Sequence, residues 1–189
     1  MYEVQNDTYC YPGTTVLKNK LGLTDADDLA AFETEITDQR ASEALPEGNL
    51  DYEHYKAIHY HLFQDVYDWA GKPRSVRILK GTSAFCYPEY IDREMVRLFE
   101  QLADRNYLDI QAPDDFAKAA AHFLAELNAI HPFREGNGRT QLTFLTLLAE
   151  QAGHPLHLER LDPEAILAAT IESFAGDETA LEQQITSLL

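Results

Sequence analysis

Two apolar segments with the period of a helix, Asp114 to Ile130 and Thr140 to Ala152, are joined by nine residues that can continue neither: His131-Pro132-Phe133-Arg134-Glu135-Gly136-Asn137-Gly138-Arg139. In the first segment Phe116, Ala120, Phe123, Leu127 and Ile130 recur on one face; the second is closed by Gly153 at a helix C-cap. Pro132 disfavours helical geometry at His131, so the first helix must stop there. The chain is thereby constrained to hold a short turn between two buried helices. Such a pair is a stiff mount for a catalytic loop.

The residue types in the turn point to phosphate chemistry. Gly136, Asn137 and Gly138 tolerate positive φ, so their amides can turn inward as an anion nest. The second helix starts there and adds its unpaired N–H groups and partial positive charge. Arg139 is a forked donor for phosphate oxygens, with Arg134 as a second local cation. Glu135 is a hard oxygen ligand suited to Mg²⁺. His131, whose ordinary pKa is ~6.5, can take a proton near neutral pH. Taken singly, these are a capping histidine, a turn asparagine and a surface acid. Their contiguous order reads as a polyphosphate cradle with a base and a metal ligand at its edge. The loop lacks the Gly-Lys-Ser/Thr ending of a P-loop, and no His-Glu-x-x-His zinc pattern occurs.

This nine-residue run resembles the signature of the Fic family, whose members mostly transfer AMP from ATP to protein hydroxyls. Similar stretches are Tyr11-Pro12-Gly13-Thr14, Val16 to Gly22, Ile58-His59 through Leu62-Phe63, and Tyr67-Asp68-Trp69-Ala70-Gly71. The resemblance implies a single Fic domain over 1–189. It implies His131 as the base for a target Tyr, Ser or Thr hydroxyl, and Glu135 as the Mg²⁺ ligand. Gly136, Asn137, Gly138 and Arg139 would bind the phosphates of the co-substrate ATP. One position departs from the family. A second arginine, which grips the γ-phosphate or pairs with an inhibitory glutamate, is Leu142 here. That leaves two alternatives open: another nucleotide or phosphate-linked donor, or a binding module that has lost turnover. Phosphate-transferring relatives usually carry Lys where this chain has Gly138, which disfavours that branch. The inhibitory pattern Ser/Thr-x-x-x-Glu-Gly/Asn has no clean copy: Ser42 to Glu47-Gly48 is one residue too long, and Thr146 to Glu150 is followed by Gln151. The resemblance is therefore to the class inhibited by a separate small antitoxin.

Composition excludes other classes. The chain of 189 residues carries 32 acidic and 15 basic side chains, a net charge of −17, which would repel a nucleic-acid backbone. No apolar run reaches the ~18 residues of a membrane span, and Met1-Tyr2-Glu3-Val4 has no secretory pattern. Cys10 and Cys86 have neither metal-like nor redox-like spacing and read as reduced thiols of a cytoplasmic bacterial protein, a secreted effector being the alternative.

The rest of the chain reads as all-α, seven or eight helices with one short β-hairpin. Residues 1–14 are an irregular arm. Thr15 to Leu21 forms one or two helical turns, and Thr24 caps a helix to about Leu45. Asp51 caps the next, to about Ala70, with Tyr55, Ile58, Leu62, Val66 and Trp69 inside; its His54, His59 and His61 are packing or surface residues. Alternation at 74–87 predicts a hairpin, open to two uses: a rigid connector, or, as the resemblance implies, a flap that docks the target by strand addition through Arg77, Lys80, Gly81, Thr82 and Phe85. Ile91 to Leu108 is a helix, Asp114 caps the helix leading to the loop, Asp162-Pro163-Glu164 opens a helix to about Phe174, and Asp177 opens the last. Pro132 and Phe133 anchor the loop, and Asn128 bonds its backbone.

Overall fold

The computed structural model describes residues 7–80, 83–110 and 112–189. Among them are seven α-helices: α1 (Ala26–Ala41), α2 (Tyr52–Phe63), α3 (Ile91–Asp104), α4 (Pro113–Ile130), α5 (Asn137–Gln151), α6 (Pro163–Phe174) and α7 (Thr179–Leu188). β1 (Leu79–Lys80) and β2 (Ser83–Ala84) pair antiparallel between α2 and α3. No helix among the described residues is long and apolar enough to cross a membrane.

The helix starts follow capping chemistry. Asp25, not Thr24, caps α1, its carboxylate accepting from the amides of Asp27 and Asp28 at 2.9 and 3.1 Å. Asp51 accepts from the His54 amide at 2.8 Å, as its position predicts. Asp162 does the same for α6, with Pro163 in the first turn. Asp114, expected as a cap, lies inside the first turn of α4, because Pro113 takes the first helical position and Ala112 precedes it.

Four expectations change. Residues 15–21 are not helical. Tyr11-Pro12-Gly13-Thr14 is a turn closed by Thr14 N–H donating to Tyr11 O at 3.1 Å, with Gly13 at φ +75°. It folds Leu17 back into an antiparallel bridge with Cys10, so the arm is ordered there. α1 stops at Ala41. α2 stops at Phe63 because Lys20 takes the next carbonyls: its Nζ donates to Gln64 O at 2.7 Å and its amide to Val66 O at 2.9 Å. Tyr67 and Trp69 then leave helical register and stack at 4.2 Å. α3 stops at Asp104, and positive φ at Asn106, Tyr107 and Leu108 returns Leu108 to the core.

α4 is the central element, burying Phe116, Ala120, Phe123, Leu124, Leu127 and Ile130 against α3, α5, α6 and α7. α2 lies across α1 and α5. Between α2, α3, α4 and α5 the rings of Tyr55, Phe99 and Phe144 meet edge-to-face or tilted at 5.3–5.7 Å. This core fixes the ends of α4 and α5, and so the nine-residue loop.

Candidate active site

The loop begins with a reversal. His131 caps α4 in the left-handed region (φ 51°, ψ 64°), its amide donating to Leu127 O at 3.0 Å. A non-glycine residue persists there only when its surroundings hold it. Arg74 supplies the hold: its Nε donates to His131 O at 2.9 Å and its amide to Pro132 O at 2.8 Å. Its terminal nitrogens reach Val76 O and Cys86 O, each at 2.7 Å. A guanidinium only 2% exposed thus staples the hairpin to the loop. The hairpin does not stand alone against the helices; the Cys86 amide also donates to Ala129 O of α4 at 3.1 Å.

Phe133 is fully buried, stacked on His59 at 3.7 Å and on Tyr55 at 5.6 Å, the anchoring role its position predicts. His59 is a packing histidine of a particular kind. Gly71 N–H donates to its Nδ1 at 2.8 Å, so Nε2 carries the proton and donates to Glu135 O at 3.0 Å. Burial lowers its pKa to about 3, and it stays neutral.

Arg134 is not a cradle cation. Its Nε and Nη2 lie 2.8 and 2.7 Å from Asp7 Oδ2, and both side chains are buried. Asn137 is likewise a clamp in its side chain: Oδ1 accepts from Phe133 N at 2.9 Å and Nδ2 donates to Phe133 O at 2.8 Å. That closes the loop on itself, a job expected of Asn128, which instead lines the neighbouring cavity.

The three-residue nest is corrected to one left-handed residue. Gly136 (φ +81°) precedes α5, and a Cβ there would sit 2.3 Å from Phe63 Cζ, so both backbone and space require glycine. Gly138 is helical and faces open space. The Gly136 amide is taken by Glu135 Oε1 at 3.0 Å. The amides of Asn137, Gly138 and Arg139, in the first turn of α5, take no acceptor among the described residues. They are the donors available to an anion.

Glu135 is half-buried, and burial raises its carboxyl above the usual range, with the nearby Glu33 charge adding to the effect against the Gly136 hydrogen bond. Arg139 lies over the Phe63 ring, 4.7 Å from its centroid, and pairs with Glu33 of α1. Glu33, like Arg74, was not singled out from the sequence; no local pattern marks either.

His131, Gly138 and Arg139 open onto one cavity of about 570 Å³. Its other walls are mostly apolar, among them Leu142, Leu167 and Ile171, and among the described residues Arg139 is the one guanidinium or ammonium lining it. Phe85, expected to touch a target, is buried and stacks on the His131 imidazole at 4.0 Å, backed by Phe174 at 5.5 Å. Arg77 is exposed, over the Tyr87 ring at 4.3 Å. Lys80 joins the hairpin through backbone pairing with Ser83, and Gly81 and Thr82 lie outside the described residues.

Residues 49–149 match the model of the Fic/DOC family. Over 189 residues, all of this chain and 98% of the other, the sequence is 52% identical to the probable protein adenylyltransferase y4lH of Sinorhizobium fredii. The structure resembles that of the BepC protein of Bartonella tribocorum with bound AMPPNP: TM-score 0.86, 27% identity, 95% of each chain. It also resembles the N-terminal Fic domain of a VirB-translocated effector of Bartonella quintana with bound ADP: TM-score 0.87, 28% identity, 95% of this chain and 93% of that one.

Proposed function

The chain belongs to the Fic/DOC family, and from that premise we propose that it is a protein adenylyltransferase, transferring AMP from ATP to a Tyr, Ser or Thr hydroxyl of a target protein. The observation that carries this reading is the meeting of His131, Gly138 and Arg139 on one cavity, at the start of a helix whose first-turn amides take no acceptor among the described residues. The His131 imidazole, its plane held against Phe85, takes the proton of the attacking hydroxyl, a step typically contributing ~10²–10⁴-fold. The hydroxyl oxygen bonds the α-phosphorus in line as the bond to pyrophosphate breaks. The α5 amides and Arg139 hold the phosphate oxygens as the leaving group's charge grows. The apolar wall of Leu167, Ile171 and Phe174 receives the nucleoside.

Glu135 fits a Mg²⁺ ion carried in on the nucleotide. It is an oxygen donor next to Gly136, and the burial that raises its carboxyl pKa is a cost a bound cation would offset. No group of three His, Cys, Asp or Glu suited to holding a metal by itself occurs among the described residues. When bound, the ion supplies neutralisation of phosphate charge.

The target docks on the hairpin, whose two-stranded sheet offers edges for strand addition and whose Arg77 is exposed. The lack of an inhibitory Ser/Thr-x-x-x-Glu-Gly/Asn pattern in these 189 residues supports regulation by a separate antitoxin, with the bacterial cytoplasm as the proposed place of action. A second reading, a donor other than ATP, is favoured by Leu142: it leaves Arg139 as the one lining cation among the described residues where a triphosphate would call for more. Incubation of lysate with α-³²P-ATP and, separately, γ-³²P-ATP decides. Label from α alone is adenylylation and must vanish in His131→Ala. Label from γ alone is phosphorylation, and label from neither, but from another nucleotide, is the second reading. Silence with every donor leaves a binding module.

A further inference from the structure

Arg139 is held from three sides by residues far away in sequence. Its Nη2 donates to Glu33 Oε1, and its Nη1 donates to Thr37 Oγ1 at 3.0 Å. The Phe63 ring covers the guanidinium plane. Glu33 and Thr37 stand one turn apart on the same face of α1, so a single rigid element grips both terminal nitrogens. The Glu33 carboxylate is itself fixed: its side chain is 12% exposed, and its second oxygen accepts from the Tyr67 hydroxyl. Burial and the Glu33 charge push that phenol well above its ordinary pKa, so it remains a donor. Tyr67 in turn is stacked on Trp69.

We propose that Glu33 is a positioning residue for the nucleotide phosphates, acting through Arg139. It takes one of the five guanidinium donors and Thr37 another, which leaves three with their direction set. Arg139 is among the residues that line the cavity, and its contacts with Glu33 and Thr37 set the direction of the donors that remain. A long side chain ordered in advance loses less freedom when the phosphates arrive. With Leu142 in place of a second arginine, the site depends on this one cation being held. The inference rests on Arg139 as the phosphate donor.

The test measures Mg-ATP affinity and thermal midpoint for Glu33→Ala, Glu33→Gln, Arg139→Ala and the double variant Glu33→Ala/Arg139→Ala. Glu33→Ala is expected to weaken ATP about tenfold, the scale of one well-placed charge-assisted contact. Glu33→Gln, which can still accept from Arg139 and meet Tyr67, should stay within about twofold of wild type. In the Arg139→Ala background, Glu33→Ala should cost nothing further in ATP affinity, while any loss of midpoint persists. A merely structural Glu33 would lower the midpoint and leave affinity alone, which overturns the proposal. So does tighter ATP binding by Glu33→Ala, the mark of a competing carboxylate, or an equal loss in both backgrounds. If Arg139→Ala itself binds ATP normally, the phosphate assignment of Arg139 falls and takes this inference with it. Should Glu33→Ala not fold, Thr37→Val reads the same effect through the second contact, with an expected weakening of about threefold.

Discussion

The first and second halves of the loop carry one arginine each, and the two have opposite fates. Arg134 turns away from the cavity into a pair with Asp7, with side chains 7% and 9% exposed. Arg139, at 36%, stays on the cavity wall. Backbone direction decides between them. The backbone of residues 131–135 is clamped by Arg74, Asn137 and His59 into a course that buries Phe133 and Arg134, while His131 still lines the cavity. Past the left-handed Gly136, α5 begins, and Gly138 and Arg139 of its first turn line the cavity. A motif read as one list of ligands is therefore two devices, a buried frame and an open donor set.

The comparison predicts opposite effects for matched changes. Arg134→Ala leaves Asp7 buried without its partner and should cost about 3–5 kcal/mol of unfolding free energy by denaturant titration, with ATP affinity kept in the folded protein. Arg139→Ala should weaken ATP roughly tenfold and lose less stability than Arg134→Ala, because Glu33 keeps the Tyr67 hydroxyl as a donor. Equal behaviour of the two would abolish the distinction. The glycines divide in the same way. Gly136→Ala meets both a forbidden φ and the Phe63 ring, and should cost more than about 2 kcal/mol; Gly138→Ala, helical and open, should stabilise by a few tenths through helix propensity or leave stability unchanged.

The pH dependence sharpens the frame half. His59 has a folded pKa of about 3 against an ordinary value of 6.5, so the unfolded chain takes up its proton first. The stability that neutral His59 contributes is complete above about 6.5 and drains as pH falls toward 3, by up to about 1.4 kcal/mol per unit. His59→Gln should lose that component of the slope in denaturant melts. An unchanged slope would show that His59 does not hold the frame. On the open half, Leu142→Arg should improve ATP binding several-fold by adding a cation to the cavity wall. No gain would mean that Leu142 does not limit ATP use.

Much of the fold was legible because its signals are local. The α4 stripe, Asp51, Asp162-Pro163 and the stop at His131-Pro132 each depend on neighbours within a turn or two. The errors came where distant groups intervene. The stripe of α2 runs on past Phe63 in sequence, yet Lys20 captures the carbonyls that would have continued it. Tyr11-Pro12-Gly13-Thr14 was a readable turn signal that the helix assignment for the next residues overrode. Phe85 looked like an exposed flap residue because a two-residue strand carries too little pattern to say which face meets the His131 ring.

By itself the sequence determined which residue types stand in order at a helix junction: an imidazole, a carboxylate, a glycine turn and a guanidinium. Steric rules and residue types act along the chain, and nothing distant is needed to read them. Only the tertiary structure decided which loop side chains are buried in pairs and which line the cavity, because their partners are remote. Asp7 lies 127 residues from Arg134 and Glu33 lies 106 from Arg139, and no local pattern records which carboxylate the packing of α1 and the arm will bring to which guanidinium.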